Sequence, residues 1–273
     1  MTIPFVKFQG TGNDFILIDG RETIYDQIPV KQMCDRNFGI GADGLMILTK
    51  KQGYDFEMIY YNSDGNLSSM CGNGGRCIVQ WAHQLGIKED GTYRFWAPDG
   101  AHEAIVKGNL VSLKMTDVKT WQVLDQQTVE INTGSPHYVY FGHENLPSLE
   151  LVNWARSIRF NDFYQAQGIN VNAVIYQLDP FKLYMRTYER GVENETLSCG
   201  TGVTAAVLSS FLLRDNLGLE SYFKFMGSNM VHMNTKGGEL SVTFEFTQDS
   251  FQNIWLVGPA TFVFQGTYET NSN

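Results

Sequence analysis

The sequence lacks the features that mark membrane, secreted and nucleic-acid-binding proteins. Among its 273 residues no apolar run approaches the roughly 18 residues that a membrane span requires. The N-terminal segment MTIPFVKF has neither the basic start nor the apolar core and cleavage site of a secretory signal. Positive charge is scarce, with 20 Lys and Arg against 29 Asp and Glu, which argues against a partner bound through phosphates. We therefore expect a cytoplasmic protein that binds neither nucleic acid nor membrane.

Cysteine is also scarce, and its four positions do not indicate a disulfide framework or a metal site. They are Cys34, Cys71, Cys77 and Cys199. In a reducing compartment structural disulfides are rare, so we expect thiols. The spacing of Cys71 and Cys77 does not fit a zinc knuckle, and the five histidines are scattered along the chain. We expect no metal.

What the sequence does contain is one series of predicted elements that occurs twice. In each half, strand-like segments and a polar loop precede a Cys-Gly-x-Gly turn that opens an apolar helix. The first turn begins at Cys71, and its helix is predicted to run through Leu85; the second begins at Cys199, and its helix is predicted to run through Leu213. We interpret this as a diverged internal duplication.

A cysteine at the first turn of a helix has a distinctive chemistry. The unpaired backbone N–H groups and the positive end of the helix dipole stabilise an anion there. The same field lowers a thiol pKa from about 8.5 towards neutrality, so that thiolate is accessible at pH 7. Each turn is therefore predicted to be an anion site with a base attached, whereas Cys34 and Cys77 lack this arrangement and are interpreted as structural.

Two such thiols suit the inversion of a carbon centre by proton transfer. Inversion requires a base on one face of the carbon and an acid on the other, and two similar halves that close over a ligand could supply both. The helix N-termini would then stabilise the negative charge that develops on a substrate carboxylate as the proton leaves.

Motifs along nearly the whole chain resemble those of diaminopimelate epimerases, and they occur in the family's order. They are Gly10-Thr-Gly-Asn-Asp-Phe15, Gly39-Ile-Gly-Ala-Asp-Gly44, Tyr61-Asn-Ser-Asp-Gly65, Met70-Cys-Gly-Asn-Gly-Gly-Arg-Cys77, Gly134-Ser-Pro-His137, Val171-Asn-Ala173, Tyr188-Glu-Arg-Gly191 and Cys199-Gly-Thr-Gly202.

The resemblance implies an α/β (α+β) fold with two pseudo-symmetric halves, each a mostly antiparallel sheet wrapped around a central helix. It implies an active site in the cleft between the halves. We place the N-terminal half at residues 1–117 plus 261–273 and the C-terminal half at residues 118–260. The implied activity is interconversion of LL- and meso-diaminopimelate without metal or cofactor, and the resemblance favours a homodimer.

The resemblance also assigns roles to residues by position. Cys71 and Cys199 would be the catalytic acid–base pair. Main-chain N–H groups of Gly72, Asn73, Gly200 and Thr201 would bind the carboxylate at the reacting centre. The polar groups of the substrate would be held by Asn13, Asn62, Asn172, Glu189 and Arg190, with Arg190 suited to the distal carboxylate and Glu189 to an ammonium. The residues expected to tune the thiols are His137 and Glu189.

The sequence departs from the common family pattern at three places. Ser135 replaces a frequent Asn, Gly44 replaces an occasional Gln, and the loop at residues 192–195 is one residue longer than a common form. These departures leave the cysteine chemistry unchanged and concern only the contacts at those places.

Two other functions remain open. A proline or hydroxyproline racemase shares the two-thiol logic, although that family typically has His where this chain has Asn73. A redox sensor that joins Cys71 and Cys199 in a reversible disulfide belongs to a different class. The segment Gly39–Gly44 satisfies G-x-G-x-x-G, but it is predicted to lead into a strand, which argues against dinucleotide binding.

Overall fold

The chain divides into two compact units in the computed structural model, which describes residues 2–23, 25, 27–142, 146–224 and 227–270. The first unit comprises Met1–Leu113 and Gly258–Asn273, and the second comprises Lys114–Val257. The boundaries proposed from sequence, after residues 117 and 260, lie four and three residues further along the chain.

The first unit is a sheet around one buried helix. Its strands are β1 (Thr2–Gly10), β2 (Asn13–Asp19), β3 (Gly44–Thr49), β4 (Phe56–Asn62), β5 (Thr92–Ala97), β6 (Gly100–Lys107) and β7 (Leu110–Lys114), and its helices are α1 (Val30–Cys34) and α2 (Gly72–Gln84). Helix α2 is buried without interruption from Asn73 to Ala82 and contacts β1, β2, β3 and β6. Such a helix belongs to the centre of a core rather than to its surface.

The second unit has the same kind of construction. Its strands are β8 (Trp121–Val123), β9 (Thr128–Asn132), β10 (Pro136–Phe141), β11 (Asn170–Leu178), β12 (Phe181–Glu189), β13 (Asn194–Thr196), β14 (Ser228–Thr235), β15 (Gly238–Thr247) and β16 (Ser250–Pro259). Its helices are α3 (Leu151–Arg159), α4 (Gly200–Leu212) and α5 (Arg214–Leu217), with short 3-10 helices at Leu146–Ser148 and Glu220–Tyr222. Helix α4 is buried from Gly202 to Phe211, and it contacts β9, β10, β11, β12, β14 and β15.

The final strand returns to the first unit. Strand β17 (Thr261–Glu269) pairs antiparallel with β1, with Thr2 opposite Glu269. The first unit is therefore assembled from two segments that are distant in sequence, whereas the second is continuous.

The order of strand pairing is the same in both units, which confirms the predicted pair of similar halves. In the first unit, β1–β2, β3–β4, β5–β6 and β6–β7 are antiparallel, and β2–β3 and β4–β5 are parallel. In the second unit, β9–β10, β11–β12, β14–β15 and β15–β16 are antiparallel, and β10–β11 and β12–β14 are parallel. The central helix follows β4 in one unit and the β12–β13 hairpin in the other.

The two central helices end close to the predicted positions. Helix α2 ends at Gln84 and helix α4 at Leu212, each one residue before the predicted end. In the described residues no helix combines the length and apolarity needed to cross a membrane.

Candidate active site

The first cysteine turn is built at the junction of a polar loop and helix α2. Cys71 occupies the N-cap position in an extended conformation, with φ -103° and ψ 130°, and its carbonyl accepts the first helical hydrogen bond from Gly75 at 2.7 Å. The N–H groups of the next residues, Gly72 and Asn73, have no acceptor within the helix because none precedes them. The half-buried thiol of Cys71 therefore lies beside the positive end of the helix.

Asn13 contacts this thiol through its side-chain oxygen. Its Oδ1 accepts hydrogen bonds from Cys71 Sγ at 3.6 Å and from Asn73 Nδ2 at 3.5 Å. The orientation of the amide is determined on its other side, where Asn13 Nδ2 donates to the Asp43 carboxylate. Since a carboxylate only accepts, the amide oxygen must face Cys71.

A network of balanced charges supports Asp43 and the loop of Asn13. Arg36 donates to Asp14 at 2.7 Å and to Asp43 at 2.8 Å, and the buried Lys7 pairs with Asp14 at 2.7 Å. Although burial alone would raise the pKa of Asp14, its hydrogen bonds and charge interactions with Arg36 and Lys7 lower it to about 2. Two cations and two anions therefore neutralise one another here.

A third cation, Arg76, lies in helix α2 itself. Arg76 is completely buried, and its Nη2 donates to Asn73 Oδ1 at 2.9 Å and to Thr11 Oγ1 at 3.2 Å. Its Nη1 donates to the carbonyl of Gly72 at 3.3 Å, and its Nε to that of Pro259 at 3.5 Å. The guanidinium therefore contacts Gly72 and Asn73, the first two residues of the helix.

The second cysteine turn begins in the same way but has different partners. Cys199 is the extended N-cap of α4, with φ -121° and ψ 113°, and its carbonyl accepts from Val203 at 2.9 Å. Its Sγ lies 3.4 Å from Thr201 Oγ1, which lies 2.9 Å from His137 Nε2. A hydroxyl therefore stands between this thiol and a buried imidazole.

Hydrogen bonding determines the tautomer of that imidazole. Asn172 Nδ2 donates to the carbonyl of Tyr138 at 3.2 Å, so the nitrogen is the group that meets His137 Nδ1 at 3.1 Å. Nδ1 must accept, and the proton of the neutral ring is on Nε2, from which it is donated to Thr201. The hydroxyl hydrogen of Thr201 is then available to Cys199.

His137 is neutral over the physiological range. It is completely buried, and burial, with a smaller contribution from the charge of Arg190, lowers its pKa to about 3. The second turn thus presents neutral donors to its cysteine, whereas the first presents a buried cation.

The second glycine of this Cys-Gly-x-Gly turn is required by packing. A Cβ at Gly202 would lie 2.8 Å from Asn172 Oδ1 and 3.3 Å from His137 Cε1. Any side chain there would separate α4 from the two residues that orient Thr201.

The remaining residues assigned by resemblance lie at strand ends. Asn62 is the half-buried last residue of β4, Glu189 is the last residue of β12, and Arg190 follows it, exposed. Glu189 Oε1 accepts a hydrogen bond from Thr196, and Arg190 Nη1 donates to the carbonyl of Gln167 at 2.8 Å. Asn172 differs from these, because its side chain is fully buried and occupied by protein partners.

The structure shows the contacts at the three places where the sequence departs from the family pattern. A Cβ at Gly44 would lie only 2.7 Å from the Tyr61 carbonyl oxygen, so this backbone does not admit a side chain there. Ser135 Oγ accepts from Asn170 Nδ2 at 2.9 Å. The longer loop is anchored by Glu193, which pairs with Arg159 at 3.0 Å and accepts from the Tyr188 hydroxyl at 2.8 Å.

The other two cysteines are placed as structural residues. Burial raises the pKa of Cys34 to about 11 and that of Cys77 to about 12, so both are thiols at neutral pH. None of the four cysteines, all within the described part of the chain, forms a disulfide. No group of three or more His, Cys, Asp or Glu side chains among the described residues is arranged to hold a metal ion.

Sequence reasoning did not single out Arg76, Asp43 or Thr11. All three lie within motifs that carried the resemblance, but a charged residue is ordinarily expected at the surface. The available signal for Arg76 was its position between Gly75 and Cys77, directly before the apolar stretch of the predicted helix.

Comparison with known sequences identifies the relatives of this chain. The profile of the diaminopimelate epimerase family matches residues 5–121. A diaminopimelate epimerase of Flavobacterium psychrophilum is 46% identical over 265 residues, covering 96% of this chain and 98% of the relative. One of Chlorobaculum tepidum is 40% identical over 267 residues, covering 94% of this chain and 98% of the relative.

Solved structures with a similar fold include more distant proteins. A phenazine biosynthesis protein of the PhzF family from Bacillus anthracis has a TM-score of 0.71 at 12% identity, covering 99% of this chain and 100% of that one. A hydroxyproline epimerase from Agrobacterium vitis, with bound trans-4-hydroxy-L-proline, has a TM-score of 0.64 at 12% identity, covering 97% of this chain and 92% of that one. At this identity the likeness concerns the fold alone.

Proposed function

The chain belongs to the diaminopimelate epimerase family, and from this premise we propose that it interconverts LL- and meso-diaminopimelate. The observation that carries the proposal is the presence of a cysteine at the N-cap of the central helix in both units of a chain that is 46% identical to such an enzyme along nearly its whole length. The reaction would supply meso-diaminopimelate for lysine and peptidoglycan synthesis in the cytoplasm.

Cys71 and Cys199 are proposed as the acid–base pair. One cysteine removes the α-proton as a thiolate, and the other donates a proton as a thiol, so the reverse reaction exchanges their roles. The helix N-termini support this proposal, because Gly72 and Asn73 in one unit and Gly200 and Thr201 in the other begin a helix, where backbone N–H groups have no acceptor within the helix. We propose that these N–H groups donate to the substrate carboxylate as negative charge develops. Neither a metal nor a cofactor is part of the proposed reaction.

The substrate-binding proposals differ in how directly each residue acts. Asn13, Asn62, Glu189 and Arg190 are all at least partly accessible, so they are proposed to contact the polar ends of the substrate. The exposed guanidinium of Arg190 suits a distal carboxylate. Asn172 is fully buried, and we propose that it acts indirectly by orienting His137.

A homodimer is proposed as the assembly. Strand β17 supports this, because Phe262, Val263 and Phe264 are 43%, 49% and 43% exposed on consecutive positions. Large apolar side chains grouped on one strand are typical of an interface with another chain. Sedimentation of the wild type as a dimer and of Val263→Lys as a monomer is the expected result, and a monomeric wild type would contradict it.

Isotope exchange tests the reaction. The reduced protein is incubated with LL-diaminopimelate in D₂O, and we expect meso product with deuterium at the α-carbon, detected by NMR and chiral chromatography. L-Proline and trans-4-hydroxy-L-proline serve as parallel substrates. Absence of exchange into diaminopimelate would remove the proposal, and exchange into proline alone would replace it with the racemase alternative.

A further inference from the structure

Arg76 is an unusual residue for the interior of a protein. Its guanidinium is 0% exposed, and its hydrogen-bond acceptors, on Asn73, Thr11, Gly72 and Pro259, are all neutral oxygens. No carboxylate within the described ranges lies within 4.0 Å of it. A buried cation without an anionic partner is strongly unfavourable, and a protein keeps one only where something compensates for it.

Among the described residues, the anions that can form close to Arg76 are cysteine thiolates. Burial lowers the pKa of Arg76, and negative charge on Cys77 or Cys71 opposes that shift. Burial raises the pKa of Cys77 to about 12 even though the charge of Arg76 opposes the increase, so Cys77 remains a thiol. Cys71 is half-buried and is therefore the sulfur that can carry the compensating charge.

Other charged groups near the first turn do not compensate for Arg76. Lys7 and Asp14, on β1 and β2, pair with each other, and Arg36 bridges Asp14 and Asp43. Asn13, between this network and Cys71, presents an oxygen that accepts from the thiol. Asn13 therefore favours the protonated form of Cys71, and Arg76 favours the ionised form.

We infer that Arg76 is a positioning residue whose buried positive charge stabilises the thiolate of Cys71, in opposition to Asn13, so that Cys71 can both take up and release a proton. This inference rests on the proposed function, in which one thiol must serve as base in one direction and as acid in the other. A group that works in both directions is most effective when its two forms are close in free energy at the working pH.

The second unit provides a natural comparison. Thr204 lies five residues after Cys199, as Arg76 lies five after Cys71, and its hydroxyl donates to the carbonyl of Gly200 at 3.0 Å. Arg76 makes the matching contact to the carbonyl of Gly72. The titratable groups near the second turn are the neutral His137, the exposed Arg190, and Glu189, so no buried cation is present there among the described residues.

Alkylation of the two cysteines tests the inference without any turnover. Iodoacetamide reacts with thiolates, and peptide mass spectrometry follows Cys71 and Cys199 separately from pH 5 to pH 10. For each cysteine, the extent of alkylation plotted against pH gives a curve with a midpoint. In Arg76→Met we expect the midpoint of the Cys71 curve to rise by at least about one pH unit, which is a tenfold loss of thiolate at neutral pH, and the midpoint of the Cys199 curve to stay unchanged. Arg76→Lys should restore most of the wild-type curve, and Thr204→Val should leave the Cys71 curve in place.

A second measurement covers the case in which Arg76→Met does not fold. Cys71→Asp places a fixed anion beside Arg76, and Asp and Asn are similar N-caps. We expect the gain in melting temperature at pH 8 from Asn to Asp to be larger at position 71 than at position 199. Both helices contribute a dipole, but in the described part of the chain only the first has a buried cation beside its N-terminus.

Equal gains in melting temperature, or an unmoved Cys71 curve in folded Arg76→Met, would overturn the inference. Both readouts are independent of the reaction. If the Cys71 curve moves but no deuterium enters diaminopimelate, only the proposed function fails. If deuterium enters and the curve does not move, only the role of Arg76 fails.

Discussion

The two cysteine turns share their backbone and differ in how their surroundings are charged. Cys71 and Cys199 each have an extended backbone conformation and form the N-cap of a buried helix of 13 residues. The first turn has a permanent cation beneath it, in Arg76, and an amide oxygen that meets the sulfur. The second has the neutral His137, which donates to Thr201 beside the sulfur.

This difference separates what the fold provides from what the side chains provide. The duplicated strand order delivers a thiol to a helix N-terminus in each half, and the helix dipole acts equally on both. Whether the sulfur meets a charge or a neutral donor is then decided by single positions, Arg76 against Thr204 and Asn73 against Thr201. A duplicated fold can therefore hold two chemically similar thiols in unlike electrostatic environments.

The largest expected effect comes from removing either thiol. Cys71→Ala and Cys199→Ala should each lower kcat for epimerisation by about 10³-fold or more, since each removes one partner in proton transfer. The loss should be comparable in the two variants although their environments differ. Chiral chromatography of the diaminopimelate isomers measures it, and a variant that keeps a tenth of the activity would show that one thiol suffices.

Removing the hydroxyl between His137 and Cys199 should have an intermediate effect. Thr201→Val leaves the His137 Nε2–H without its acceptor and Cys199 without its donor, so we expect kcat to fall about tenfold, equivalent to about 1.4 kcal/mol. Thr201→Ser keeps the hydroxyl and is the matched control. If Thr201→Val is as active as Thr201→Ser, the chain from His137 to Cys199 has no role in the rate.

Acid should destabilise the second unit before the first. His137 has an ordinary pKa of 6.5 and a folded value of about 3, so between these values the unfolded chain binds more protons. The unfolding free energy therefore falls as pH drops below 6.5, by up to about 1.4 kcal/mol per pH unit. Asp14 in the first unit has an ordinary value of 3.8 and a folded value of about 2, so its contribution is lost only below about pH 4.

Hydrogen-exchange protection factors at pH 7 and pH 5 measure the loss of stability in each unit separately. Strands β10 and β11 should lose protection relative to β1 and β2. His137→Gln, which cannot titrate, should flatten the dependence in the second unit. An equal loss of protection in both units of the wild type would contradict the attribution of this pH dependence to His137.

The smallest effect on activity is expected from the other two cysteines. Cys34→Ala and Cys77→Ala remove buried thiols that do not titrate near neutral pH, so kcat should stay within about twofold of wild type. Each should lower the unfolding free energy by about 1 kcal/mol through a small cavity, measured by urea denaturation. A large loss of activity with unchanged stability would assign one of them to the reaction.

The sequence predicted the regular elements that carry a strong local signal. Both central helices were predictable because a Cys-Gly turn precedes a long apolar stretch and polar residues follow it. Helix α3 was not singled out, although Leu151, Trp154, Ala155 and Ile158 recur at the spacing of one helix face. The three-residue strands β8 and β13 are too short for a pattern.

The site was predictable at the level of its cysteines and not at the level of their partners. The position of a thiol at a helix start is a local property, readable from neighbouring residues. The contact of Asp43 with Asn13 joins residues 30 apart, and that of Thr11 with Arg76 joins residues 65 apart. Such contacts depend on strand pairing across the unit, which no local pattern contains.

The pairing of β1 with β17 has a consequence for the order in which the protein forms. Strand β1 leaves the ribosome before the other described strands, but it cannot complete its antiparallel ladder until β17, more than 240 residues later, has been synthesised. Meanwhile all of Lys114–Val257 has emerged as one uninterrupted segment. Vectorial synthesis therefore gives the Cys199 unit the earlier opportunity to fold, and the Cys71 unit must wait with one edge of its sheet uncovered.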